Sequence, residues 1–181
     1  MAEDGDLDAE ITHRVQSGWN NWRKMSGVLC DNRINVKIKG KIYKTVVRPA
    51  MMYGAETWPV MKAQEKKLDV TEMKMLRWMC GVTKMDKIRN ERIRGTTKVV
   101  EISKKVQERR LQWYGHVMRR DETYVGRRVM EGEVQGRRRR GRPKRRWMDC
   151  VREDLREKQL SEDDAYDRAG WRRAVKNIDP T

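Results

Sequence analysis

Asp163 and Asp164 stand side by side, and adjacent carboxylates are what a two-metal nucleotidyl-transfer site uses to hold Mg²⁺ against a phosphate. Their setting, Ser161-Glu162-Asp163-Asp164-Ala165, lacks the apolar strand and turn that would aim both groups at one ion. It reads instead as a Ser cap with an acid at the third helical position, where carboxylates complement the positive end of the helix dipole. His13 and His116, the two histidines, lie about a hundred residues apart with no nearby Cys or paired carboxylate. His116 is therefore expected to be packed or to face a phosphate rather than to ligate a metal. Cys30, Cys80 and Cys150 are spaced 50 and 70 residues apart, which fits neither a disulfide framework nor a zinc site and reads as reduced, intracellular cysteine. No glycine-rich loop ends in Lys-Ser or Lys-Thr to cradle a phosphate. The expectation is no catalytic residue, no metal site and no cofactor.

The chemistry that is present is cationic. Residues 137–146 place eight guanidinium or ammonium groups in ten positions with no carboxylate among them. Charge of that density cannot be buried without a partner, so it must lie in water or on phosphate. Arg137, Arg138, Arg139, Arg140, Gly141, Arg142, Pro143, Lys144, Arg145, Arg146 and the following Trp147 are the expected nucleic-acid contacts. The whole chain agrees: 43 Lys and Arg against 27 Asp and Glu leave a net charge of +16 over 181 residues, a field suited to a polyanion and needless for a neutral substrate. Within the run, Arg140-Gly141-Arg142-Pro143 resembles the AT-hook, in which an extended Arg-Gly-Arg lies in a narrow A·T-rich minor groove. A tract that binds any polyanion, or that serves as a nuclear localisation signal, remains the alternative. RNA, DNA or both are thus the expected partners, with nuclear import receptors as a second class. The acidic start Met1-Ala2-Glu3-Asp4 is unlike a signal peptide, and no apolar run approaches the ~20 residues of a membrane span. Nucleus or cytoplasm is expected, not secretion and no membrane.

Where hydrophobic residues recur with a period, the period is helical. Ile11, Val15, Trp19, Trp22, Met25 and Leu29 recur at steps of three or four, with Asp8 as the expected cap. A second stretch runs from about Asn35 through Val36, Ile42, Val46 and Val47, with Arg48-Pro49 expected to disturb it and Tyr53-Gly54 to close or kink it. A third, from about Gln64, carries Leu68, Met75, Leu76, Met79 and Val82. Ile102, Val106, Trp113 and Val117 mark another. From Asp121 to Pro143 there is no sustained period, only glycines among arginines, a linker composition. Pro143 then suits the first position of a helix bearing Trp147, Val151 and Leu155, before a last helix through Ala165, Ala169 and Trp171. No stretch alternates at period two. An all-α fold follows: a helical bundle over residues 1–95, an amphipathic helix over 96–120, a basic Gly/Arg linker over 121–143 and C-terminal helices over 144–181. Trp19, Trp22 and Leu68 are expected inside the bundle and Trp113 in a core; Trp147 is open between docking the last helices and stacking on a base.

Longer phrases carry a resemblance. Ala9-Glu10-Ile11-Thr12-His13-Arg14-Val15, Gly18-Trp19 and Trp22-Arg23, then Val47-Arg48-Pro49-Ala50-Met51-Met52-Tyr53-Gly54-Ala55-Glu56-Thr57-Trp58, Met73-Lys74-Met75-Leu76-Arg77-Trp78-Met79-Cys80-Gly81-Val82, Ile88-Arg89-Asn90-Glu91, Leu111-Gln112-Trp113-Tyr114-Gly115-His116-Val117-Met118-Arg119-Arg120 and Arg140-Gly141-Arg142-Pro143-Lys144-Arg145-Arg146-Trp147 follow in order. Together they resemble the region after the palm in reverse transcriptases of non-LTR, LINE-like retrotransposons, nearest to the RTE type. The resemblance implies a small thumb-like helical bundle followed by a basic, partly flexible helical tail. It also implies what is missing, because the metal-binding palm aspartates and the endonuclease of that family have no match here. The expectation is a C-terminal fragment that contacts RNA or DNA and is not an enzyme as an isolated chain. The alternatives are a transposon-derived AT-hook-like chromatin protein, or a translated relic with no selected role.

Overall fold

A computed structural model describes residues 7–132 and 145–180. Among the described residues every regular element is helical, in an all-α fold. The chain divides into two compact units: Met1–Ala55, Met61–Val106 and Asn177–Thr181 form the first, Glu56–Val60 and Gln107–Lys176 the second.

In the first unit, α1 (Leu7–Lys24) turns Ile11, Gly18 and Trp22 inward. Asp8 lies within that helix rather than capping it, because its carboxylate is engaged elsewhere and accepts from Gln64 Nε2 at 2.9 Å. The apolar face expected to run to Leu29 breaks after Lys24 and resumes as the short α2 (Ser26–Leu29), where Leu29 is buried. Asn35 caps α3 (Val36–Ile42), its side chain accepting from Lys37 N at 2.9 Å. The disturbance expected at Arg48-Pro49 does not end the helical path. A π-turn, Tyr43–Val47, widens the spiral ahead of α4 (Arg48–Met51), which carries Pro49 in its first turn. Proline lacks an N–H and crowds the carbonyl four residues back, and the wider turn relieves both problems. A long helix, α5 (Lys62–Met79), buries Leu68, Met75, Leu76 and Met79. Val82 lies beyond its end, donating its N–H back to Arg77 O at 3.0 Å. The basic stretch after it contains α6 (Asn90–Thr97).

A buried carboxylate joins these helices. Glu72 on α5 has no solvent exposure, and desolvating such a charge costs several kcal/mol unless its oxygens are met by donors. Oε1 accepts from Tyr43 Oη at 2.9 Å; Oε2 accepts from Arg94 Nη1 at 2.6 Å and from Ile102 N at 3.0 Å. Burial pushes the Glu72 carboxyl up from its ordinary value, against the pull of Arg94, Tyr43 and the Ile102 N–H. The same burial, and then Glu72 itself, push the Tyr43 phenol well above its own. Ile102 opens α7 (Ile102–Met118), and the next residue, Ser103, donates its N–H to Asp69 Oδ1 at 3.2 Å. Two carboxylates of α5 thus satisfy amides that the first turn of α7 leaves without helical partners. At the other end of α5, the buried Lys39 donates Nζ to Met79 O at 2.9 Å. Its neighbour Gly40 lies so close to α6 that a Cβ would stand 1.9 Å from Thr97 O. Only hydrogen fits there. Trp22 and Leu68 are buried as expected, whereas Trp19 is half-buried in an edge-on group with Trp22 and the largely exposed Trp78.

The second unit is built from most of α7 with α8 (Val125–Glu131), α9 (Trp147–Lys158) and α10 (Arg168–Val175). Its core joins Leu111, Tyr114, Val151, Leu155, Ala165, Trp171 and Val175. The stretch from Asp121, expected as linker, therefore contains a helix of its own, whose Val125 and Val129 are largely exposed. A sequence of glycines and arginines hides such a helix because its apolar residues do not pack at a core period. Residues 133–144, including the Pro143 expected to open the next helix, lie outside the described residues. In α7 the backbone at Gly115 is the seat of Trp171: a Cβ there would be 2.3 Å from the indole nitrogen, which donates to Leu111 O at 3.0 Å.

Replacing Glu72 by Gln takes from the largely buried Arg94 cation its 2.6 Å partner and leaves it the half-exposed Glu101 at 3.9 Å, and breaking a buried pair typically costs about 3–5 kcal/mol. Urea unfolding of Glu72→Gln should show that loss. A midpoint equal to that of the unaltered protein would remove Glu72 from its central place.

Candidate nucleic-acid interface

Of the eleven residues expected to touch nucleic acid, Arg137, Arg138, Arg139, Arg140, Gly141, Arg142, Pro143 and Lys144 lie outside the described residues. The last three are described. Arg145 donates Nε to Cys150 Sγ at 2.9 Å and forms an ion pair with Glu153. The run thus has a carboxylate after all, eight residues along and brought back by the turn into α9. Burial pushes the Cys150 thiol up, against the Arg145 contact. Arg146 is the cap residue of α9; its backbone N–H donates to Asp149 Oδ2 at 2.9 Å while its side chain is exposed.

Trp147 makes docking contacts. Its indole N–H donates to Glu56 O at 2.8 Å, its ring lies 6.5 Å from that of Tyr114, and it is partly buried against the core. It is therefore docked on its unit, with part of its surface still lining a groove. Trp113 corrects the opposite expectation. Leu111, Tyr114 and Val117 take the inward face of α7 and are fully or almost fully buried, so Trp113, a residue before Tyr114, is turned outward and is 36% exposed. It stacks on His116 with ring centroids 5.5 Å apart and planes 22° from parallel, and His116 meets Tyr124 edge-on. His116 is packed. Counting the helical period from Leu111 through Tyr114 rather than from Val106 through Trp113 is the signal that would have placed Trp113 outside.

Trp113, Trp147, Met118, Val129 and Met130 line a groove of about 880 Å³, with Arg146 and Arg152 among its polar residues. Gly132 and Arg146, which bracket the cationic run in sequence, both line it. A groove with aromatic walls and arginines beside it can take a flat base and its phosphate. What positions it is a buried ion pair: Arg110 on α7 donates Nε to Asp154 Oδ2 on α9 at 2.6 Å and Nη1 to Trp58 O at 3.3 Å. Burial pushes the Asp154 carboxyl up, with Arg110 opposing.

Asp163 and Asp164 sit on a short 3₁₀ turn, Asp163–Tyr166. Asp164 accepts from Ser161 N at 2.7 Å and Ser161 Oγ at 2.9 Å, and those bonds hold its carboxyl below the ordinary value. The Ser161 cap therefore opens this turn, and α10 has its own cap in Asp167, which accepts from Ala169 N. Among the described residues no group of three or more His, Cys, Asp or Glu is placed to hold a metal ion, and no helix is long and apolar enough to cross a membrane.

A second cationic cluster, in the first unit, escaped the sequence reading. Asp179 Oδ1 accepts from Arg48 Nη1 at 3.1 Å and Val100 N at 3.0 Å; Oδ2 accepts from Arg48 Nη2 at 3.3 Å and lies 3.8 Å from Lys44 Nζ. Burial raises the Asp179 carboxyl, but Arg48, the Val100 N–H and Lys44 outweigh it and leave the pKa below its ordinary value. A depressed carboxyl stabilises the fold above its unfolded pKa of about 3.9 and loses that contribution as pH falls through the folded value. The stability gap between the unaltered protein and Asp179→Asn should be full at neutral pH and close on acidification below about pH 4. Urea melts across that range measure it, and a gap that held constant or widened in acid would contradict the assignment.

No family model matches the chain, and no solved structure does. The chain is similar to a transposon-derived protein of Caenorhabditis elegans, with 27% identity over 154 residues covering 82% of this chain and 55% of that protein. It spans about half the length of the curated relative that it matches.

Proposed function

We propose that this chain is a nucleic-acid-binding portion of a transposon-derived protein, corresponding to the thumb and basic tail that follow the palm of a non-LTR retrotransposon reverse transcriptase. The transposon part of this reading is supported by the similarity to the C. elegans transposon-derived protein over 82% of the chain. The reverse-transcriptase part rests on the ordered phrases from Ala9 to Trp147. The observation that carries nucleic-acid binding is the run of eight cations in residues 137–146, of which Arg145 is paired to Glu153 and Arg146 lies exposed at the mouth of an aromatic-lined groove.

Binding is the activity proposed; strand synthesis belongs to a palm. Purified chain should therefore give no Mg²⁺-dependent primer extension above a buffer control, and extension that survived further purification would overturn this assignment.

With Arg145 engaged, the rest of the run can neutralise roughly 4–6 phosphates, so log K against log salt should fall with a slope of about −3 to −5. Replacing Arg138, Arg139, Arg140 and Arg142 with Gln should flatten it by about 3 on every duplex tested. An unchanged slope would take the contact out of this segment. Arg142→Ala decides between the two modes of binding: erasing A·T preference with modest loss of affinity marks a minor-groove arginine. Equal loss on A·T-rich and G·C-rich duplex marks a plain polyanion tract.

A further inference from the structure

We infer that Lys44, Arg48 and the backbone N–H of Val100 form a binding site for one phosphodiester of a nucleic-acid strand, occupied in this structure by the chain's own Asp179. The inference rests on the nucleic-acid reading above and adds to it a site, a ligand group and a competitor.

Each oxygen of Asp179 is met twice. Oδ1 takes Arg48 Nη1 and Val100 N at 3.1 and 3.0 Å, and Oδ2 takes Arg48 Nη2 at 3.3 Å with Lys44 Nζ at 3.8 Å. A phosphodiester presents the same pattern, two non-bridging oxygens that share one negative charge. The planar fork of a guanidinium binds either group through two parallel N–H bonds. Charge favours exchange, since two cations face a single carboxylate and the site stays net positive. Burial requires an occupant, because the Arg48 side chain is only 11% exposed and an unpaired cation that dry is costly.

The present occupant lies in a stretch, residues 176–180, that has no helical hydrogen bonding of its own, and such stretches open locally at lower free-energy cost than packed helices. Beside Asp179, the segment is held by Asn177, whose Nδ2 donates to Lys104 O at 2.6 Å and whose carbonyl accepts from Lys105 Nζ at 2.5 Å. The cations are fixed to the fold. Lys44 stands on the π-turn and donates to Lys98 O at 2.9 Å, and Arg48 opens α4 directly after that turn. A preformed cationic site filled by a side-chain carboxylate acts as a gate: Asp179 lowers affinity for a strand until a phosphate replaces it.

The test uses the full-length chain and a short fluorescein-labelled oligothymidylate read by anisotropy. Asp179→Asn should lower Kd about threefold to tenfold and steepen the salt slope by about 0.7, one added contact on a single strand. Asp163→Asn makes the same change in net charge on an exposed turn and should leave Kd within about twofold, as expected of a remote charge screened by salt. Adding Arg48→Gln to Asp179→Asn should abolish the gain; if that protein fails to fold by circular dichroism, Lys44→Gln makes the same test. The site is overturned by an equal gain in Asp163→Asn, by a gain that persists with the cation removed, or by no gain while the unaltered protein binds. Inorganic phosphate replacing chloride at matched ionic strength should leave the Asp179→Asn complex largely intact; full displacement would assign the site to free phosphate and overturn its assignment to a strand. Absence of binding in both the unaltered protein and Asp179→Asn would instead bring down the nucleic-acid reading itself, and the site with it.

Discussion

The first unit is arranged around a carboxylate that has nowhere to put its charge except on its neighbours. Glu72 is fully buried, and its two oxygens take donors from the π-turn, from α6 and from the first residue of α7. The π-turn and α6 are short, five and eight residues, and α6 is largely polar. With desolvation already opposing the charge, loss of any donor leaves a deficit that apolar contacts on a helix such as α6, with Ile93 as its buried hydrophobic residue, cannot offset. That makes Glu72 a device for geometric specification more than for net stability. It sets where α7 begins.

The second unit repeats the logic with a buried pair and an indole. Arg110 and Asp154 join α7 to α9, and the Arg110 guanidinium also reaches Trp58 O, so three separate segments share one cation. Trp171 closes the other side, laid flat on Gly115 and donating to Leu111 O. With these contacts in place, Leu111, Tyr114 and Val117 have no choice of face. Trp113 is consequently outward, where it meets His116 and helps form the aromatic wall of a groove. The groove is a consequence of core geometry, and its chemistry is a consequence of which residues were left over on the surface.

Electrostatics gives the two units a common theme. In a chain with net charge +16, carboxylates are outnumbered, and the structure uses several of them to hold specific cations: Glu72 holds Arg94, Asp154 holds Arg110, Glu153 holds Arg145 and Asp179 holds Arg48. Those arginines shape the fold or its binding sites and are not a free positive surface. The surplus that remains is what a polyanion senses at long range. Proposed strand contacts therefore rest on where an arginine lacks such an anchor, or where its anchor is the carboxylate of a segment without regular structure.

Fold class was legible from residue types because helical periodicity is local. The steps from Leu68 to Met79 bury the face they predict, and those of the first helix do so at Ile11 and Trp22, with Val15 and Trp19 half-buried. The cation run was legible for the same reason: its density is a property of ten adjacent residues. The ion pair of Arg145 and the exposure of Trp113 were not legible, since both depend on partners in other turns, Glu153 in one case and the packing of Tyr114 and Trp171 in the other. The helical path through Pro49 needed a π-turn that periodicity does not encode. Composition and local spacing by themselves determined that this protein is helical, cationic and built on Trp- and Met-rich faces. Only tertiary structure decided which charges are neutralised and which aromatics are exposed, because pairing and burial depend on distances between residues such as Arg48 and Asp179, 131 positions apart in the chain.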